Sequence, residues 1–88
     1  MRITAEISYY PLHESFAADI RRFIAELREQ AGLEVVTNRT STQVRGEFEA
    51  VTDALARCMR PSLAEAGTRV FIVKYINADL DISADPER

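Results

Sequence analysis

From Arg2 to Tyr10 the chain alternates, with Ile3, Ala5, Ile7 and Tyr9 on one side and Thr4, Glu6, Ser8 and Tyr10 on the other. A period of two over this length predicts a strand with one face on a core. Pro11 lacks a backbone donor and closes that strand. From about Glu14 to Ala31 the period lengthens. Phe16, Ile20, Phe23, Ile24, Leu27 and Ala31 step by three and four, which predicts one apolar stripe down a helix. Arg21, Arg22, Glu26, Arg28 and Glu29 take its opposite face. Ser15 or His13 is placed to cap the start, Asp19 suits the positive end of the helix dipole, and Gly32 stops the helix.

Leu33–Arg39 is rich in β-branched residues and predicts a second strand; Thr40 and Ser41 turn the chain, and Thr42–Arg45 predicts a short third strand. Gly46 and Glu47 open a second helix whose inner stripe is Phe48, Val51, Leu55, Met59 and Leu63. Pro61 removes the donor that would reach the carbonyl of Arg57, so a kink or break is expected there, and Gly67 ends the helix. Arg69–Ile76 predicts a last strand, nearly continuously apolar over Val70–Val73, as in a central strand.

The order β-α-β-β-α-β is the ferredoxin-like α+β arrangement, a four-stranded antiparallel sheet with two helices on one face. It occupies residues 1–76 as one domain, followed by an acidic, solvated C-terminal tail over 77–88. Two helices cover only one face of four strands, so the other must meet solvent, a ligand or another sheet. Either Val70, Ile72 and Lys74 or Phe71, Val73 and Tyr75 join Thr4, Glu6, Ser8 and Tyr10 there. Both sets are substantially apolar, which predicts a covered face, and pairing with a second copy in a homodimer is the simplest cover.

At 88 residues the core is modest. A net charge of −3 with scattered basic residues argues against nucleic acid as a partner. The single cysteine, Cys58, rules out an internal disulfide, points to a reducing compartment and reads as a small buried apolar residue. With one histidine and one cysteine, no cluster has metal-ligand spacing, and no cofactor is expected. No apolar run reaches the ~18–20 residues that cross a bilayer, and no signal-peptide core precedes the first strand, so a cytoplasmic protein is expected. The three glycines are each explained by a helix boundary and form no phosphate loop, and no nucleophile sits in a recognisable catalytic motif.

The candidate chemistry lies at strand ends. Glu6 is a mid-strand carboxylate on a covered face, so it needs either an ion pair with Arg45 or Lys74 or a cationic ligand. Ser8, Thr37, Thr40, Ser41 and Thr42 are turn chemistry taken singly but a hydroxyl cluster if they converge. Tyr9, Tyr10 and Tyr75 are core or interface aromatics, or rings on which a heterocycle stacks.

The stretches Ala5-Glu6-Ile7-Ser8-Tyr9-Tyr10-Pro11-Leu12, Gly32-Leu33-Glu34-Val35 and Ser41-Thr42-Gln43-Val44-Arg45-Gly46-Glu47 give the chain its resemblance to the YkoF-like and related thiamine-binding proteins, small ferredoxin-like domains. The resemblance covers most of residues 3–75 in the same order and spacing. It implies a non-enzymatic binder of thiamine or its hydroxymethylpyrimidine moiety, associated with uptake or salvage. It also implies assembly through sheet faces into a homodimer or tetramer; that neither nucleic acid nor a membrane is a partner is expected from the charge balance and the short apolar runs instead. By position it assigns Ser8, Tyr10, Ser41 and Thr42 to a ligand pocket, and charge complementarity with a thiazolium ring adds Glu6. Two other classes stand beside this expectation. One is an interaction or regulatory module that docks through its open sheet without a small ligand. The other is an enzyme of the dimeric ferredoxin-like type using His13 or a tyrosine.

Overall fold

The two hydrophobic periods build the two layers of the molecule. A computed structural model describes residues 1–83, and its elements run β1 (Arg2–Pro11), α1 (Phe16–Arg28), β2 (Glu34–Thr37), β3 (Thr42–Glu47), α2 (Phe48–Ala64) and β4 (Arg69–Ile76). The strands form one antiparallel sheet in the order β2-β3-β1-β4, with both helices packed on one side, as the ferredoxin-like reading expects. Directly opposed residues on neighbouring strands share a face. Ile3 opposite Gly46, Ala5 opposite Val44 and Ile7 opposite Thr42 therefore turn toward the helices, as do Tyr9 and Phe71. Phe23 and Leu27 of α1 and Val51, Ala54, Leu55 and Cys58 of α2 close over them. Burying each large apolar side chain of this set stabilises the fold by roughly 1.5–3 kcal/mol.

Several boundaries differ from expectation for identifiable reasons. The strand expected over Leu33–Arg39 is shortened to Glu34–Thr37 because the Asn38 side chain organises the turn. Its Oδ1 accepts from the backbone N–H groups of Thr40 and Ser41 and from the Thr40 hydroxyl. Pro61 does not break α2, which runs unbroken to Ala64. The proline lies on the exposed side, where water can satisfy the released Arg57 carbonyl. The α2 stripe is also rotated: Phe48 and Leu63 are exposed, whereas Ala54, Cys58 and Ser62 are buried. Gly46 is no helix-boundary glycine but the strand residue over which the α1–β2 loop packs. A Cβ there would lie 2.8 Å from the Gly32 carbonyl oxygen.

Strand β4 is an edge strand, not a central one, and pairs only with β1. Its continuous apolar run has two separate causes. Phe71 and Val73 pack against the core, while Val70 and Ile72 stand exposed on the open face. A second departure concerns the acidic stretch after β4. Residues 77–81 fold back across one end of the open face. The Thr4 hydroxyl donates to the Ala78 carbonyl at 2.8 Å and accepts from the Leu80 N–H at 3.0 Å. Arg45 donates to the Leu80 carbonyl, and Asp79 pairs with both Arg2 and Arg45. This strap explains why Thr4 is buried on a face without helices. The remainder of the expected tail, 84–88, lies outside the described residues.

Candidate functional site

Strand lengths create the site. Pairing of β1 with β3 ends at Ile7 opposite Thr42, whereas pairing with β4 continues to Pro11 opposite Arg69. Beyond Ile7, the loop between β2 and β3 takes the place of a paired strand beside β1. The gap between β1, this loop and α1 is a cavity of about 320 Å³. That is the lower end of the ~300–1,000 Å³ typical of small-molecule sites.

Its walls come from three elements. Ile7 and Tyr9 contribute from the sheet, and Phe16, Ile20, Phe23 and Ile24 from α1. Thr37 through Thr42 contribute from the hairpin, and Ser8, Tyr10, Pro11 and Leu12 continue the wall along β1 and past its end. Tyr10, Leu12 and Phe16 are each about half exposed or more, which makes the mouth apolar. The hydroxyls of Thr37 and Thr42 lie 3.1 Å apart and supply hydrogen-bonding capacity on the hairpin side.

Tyr9 is held from two directions. Its ring stacks on Phe71 at 4.0 Å between centroids and meets Phe23 edge-on at 5.6 Å. Phe71 is not part of the cavity wall whereas Tyr9 is, so the stack offers the cavity a braced aromatic surface. The Tyr9 hydroxyl accepts from Arg69 at 3.0 Å, and the same guanidinium nitrogen donates to Asp19 at 2.7 Å. Asp19 also meets His13 Nε2 at 2.6 Å and Arg22 at 3.4 Å. The Arg69 hydrogen bond, with His13 adding to it, holds the Asp19 carboxyl below its ordinary range despite opposition from burial. His13 is thus tied into an ion-pair network at the start of α1. Its Nδ1 accepts from the Ser15 N–H, and the Ser15 side chain makes no cap of its own.

The five residues assigned from sequence fall on both faces of the sheet. Thr42 is buried and turned toward the helices, inside the cavity wall. Ser8, Tyr10 and Ser41 also line the cavity, although the strand positions of Ser8 and Tyr10, and the hydrogen bond from the Ser41 hydroxyl to Glu6, place them on the open-face side. Glu6 is not part of the lining. It lies between Gln43 and Lys74 on the open face, accepts from the Ser41 hydroxyl at 3.0 Å and pairs with Lys74 at 3.3 Å. Those contacts, Ser41 first, hold its carboxyl below the ordinary range. The Glu6 carboxylate therefore reaches the cavity wall through its hydrogen bond to Ser41. Tyr75 lies opposite Ala5, half exposed and outside the lining.

From sequence, Phe16, Ile20, Phe23 and Ile24 read only as the apolar stripe of α1, and Asn38 and Arg39 only as part of a strand. An apolar helix stripe looks the same whether it meets a sheet or a cavity, so no local signal separates the two. Among the described residues, no group of three or more His, Cys, Asp or Glu side chains is arranged to hold a metal ion. No helix among them is long and apolar enough to cross a membrane.

No protein-family model and no curated protein matches the chain. Solved structures do. One is a protein from Thermotoga maritima provisionally described as a thiamine biosynthesis/salvage protein, at 22% identity and TM-score 0.81, covering 94% of this chain and 92% of its own. A protein from Streptococcus pneumoniae matches at 23% identity and TM-score 0.81, covering 96% of this chain and 92% of its own. A domain of unknown function (DUF77) from Bacillus cereus matches at 15% identity and TM-score 0.76, covering 94% of this chain and 85% of its own. Identities this low establish the ferredoxin-like fold and nothing finer.

Proposed function

We propose that this protein binds thiamine or its hydroxymethylpyrimidine moiety without transforming it, in the service of thiamine uptake or salvage. The observation that carries this reading is the cavity at the hairpin end of the sheet. It joins a braced aromatic wall at Tyr9 to a hydroxyl pair at Thr37 and Thr42. An aminopyrimidine is flat and presents ring-nitrogen acceptors and an amine donor. Aromatic and apolar walls suit its faces, and threonine hydroxyls, which both donate and accept, suit its edge. The structural likeness to the Thermotoga maritima protein supports the same ligand class. Ser8, Tyr10, Ser41 and Thr42 act as pocket residues in this reading, with Glu6 orienting Ser41. A cytoplasmic homodimer or tetramer assembled through sheet faces completes it. The bare apolar positions Val70 and Ile72 are the surface that such assembly uses.

Calorimetric titration with thiamine and with hydroxymethylpyrimidine tests the reading. Saturable binding of at least one compound is expected, and Thr42→Val should weaken it by about tenfold through a lost buried hydrogen bond. A folded protein that binds neither compound at millimolar concentration overturns the proposal.

A second reading has one specific observation in its favour. Glu6 is already paired with Lys74, as expected of a module that docks through its open sheet and takes no small ligand. That module has no use for a cavity at the strand ends, which is why the binding reading ranks first.

A further inference from the structure

The charges around the cavity bear on which form of the ligand it takes. Two carboxylates adjoin wall residues in sequence, Glu6 next to Ile7 and Asp19 next to Ile20, and both are engaged elsewhere. Glu6 is held by Ser41 and Lys74 on the open face, and Asp19 by Arg69, Arg22 and His13 at the start of α1. Neither lines the cavity, and no other carboxylate among the described residues does. Among the described residues, the one formally charged side chain in the wall is Arg39, at the tip of the hairpin. Arg39 is exposed and has no hydrogen-bond or ion-pair partner among the described residues. A positive charge without a local partner thus stands beside an uncharged interior of aromatic and hydroxyl groups.

Building on the function proposed above, we infer that the cavity selects an uncharged pyrimidine carrying an anionic phosphate ester, with Arg39 as the residue that receives the phosphate. The hydroxymethyl arm is where the pyrimidine can carry an anion without altering its ring donors and acceptors. The guanidinium fork matches a phosphate bidentately, and such charge-assisted bonds are roughly twice as strong as neutral ones. A thiazolium ring in the same place puts a cation beside Arg39 with no carboxylate among the described wall residues to offset it. The inferred order of affinity is phosphate ester, then free alcohol, then thiamine.

Calorimetry on the intact chain at low ionic strength tests this with four probes: hydroxymethylpyrimidine, its monophosphate ester, thiamine and inorganic phosphate. The ester is expected to bind about tenfold more tightly than the alcohol. Added salt should shrink that advantage, since an exposed charge is screened over about 10 Å at 0.1 M. Arg39→Gln lies at an exposed loop tip, and it should bring the ester-to-alcohol ratio close to one. An ester no tighter than the alcohol, thiamine tighter than the ester, or a ratio unmoved by Arg39→Gln overturns the inference while the pyrimidine-binding reading survives. Inorganic phosphate binding as tightly as the ester also overturns it, because the ring then contributes nothing. If none of the four probes binds, the proposed function and this inference fall together.

Discussion

The two sides of β1 obey different rules. Its odd-numbered residues Ile3, Ala5, Ile7 and Tyr9 are all buried, and each meets the neighbour that strict alternation implies. The even-numbered residues from Thr4 to Tyr10 share one face but have four different fates. Thr4 is sealed beneath the returning C-terminal strap, and Glu6 is tied to Lys74 and Ser41. Ser8 lies beside exposed Ile72, and Tyr10 rims the cavity half exposed. The helix-covered side is thus organised by local period. The open side is organised by segments distant in the chain, through individual hydrogen bonds and ion pairs. Its burial is correspondingly uneven.

Substitutions on the two sides should therefore differ in size and in readout. The largest effect is expected from Phe23→Ala, which removes a buried ring from both the aromatic cluster and the cavity wall. A loss of about 3–5 kcal/mol in urea unfolding is expected. A loss below about 1 kcal/mol would mean that the helix-covered side is not the main source of stability. Thr4→Val should cost about 1–3 kcal/mol, since it leaves the Ala78 carbonyl and the Leu80 N–H without their partner. Faster amide exchange confined to residues 78–80 would mark release of the strap; uniform acceleration across the sheet would contradict it.

Acid should distinguish the sides next. Asp19, bonded to Arg69, and Glu6, bonded to Ser41 and Lys74, both have lowered carboxyl pKa values in the folded state. Each therefore contributes stability that is fully present above its ordinary pKa, 3.8 for Asp19 and 4.5 for Glu6. That contribution is lost as pH falls through the lowered folded-state value. Melting temperature should drop below about pH 4.5, and Asp19→Asn and Glu6→Gln should each flatten part of the drop. If neither variant changes the slope, these pairs do not contribute to acid stability. The smallest change in folding is expected for Ile72→Lys on the bare end of the open face, within about 0.5 kcal/mol. The same variant should lower the sedimenting mass if copies associate through that face, and an unchanged mass would remove that surface from the proposed assembly.

Alternation over Arg2–Tyr10 and three-four spacing over Phe16–Leu27 are sufficient to read the fold, because both record a face turned to a continuous core. The position of β4 was not legible in this way. Val70–Val73 is apolar whether a strand is central or at an edge with one bare side, so the pattern alone cannot order the sheet. Of the site, Ser8, Tyr10, Ser41 and Thr42 were legible as strand-end hydroxyl and aromatic residues, and all four line the cavity. Arg39 was not, because a lone arginine in a turn is ordinary surface chemistry until the folded hairpin sets it beside a neutral cavity. The strap was hidden for a similar reason. Asp79 and Asp81 read as solvated acid, and only the folded sheet brings Arg2 and Arg45 beneath them.

Cys58 lies on the buried face of α2, and burial pushes its thiol pKa up. The reactive thiolate is therefore scarce and shielded while the molecule is closed. Alkylating reagents can modify the only sulfhydryl in the chain when α2 lifts from the sheet. Labelling kinetics would then clock that opening event, giving a gauge of how often the two layers part that uses a native side chain and needs no engineered substitution.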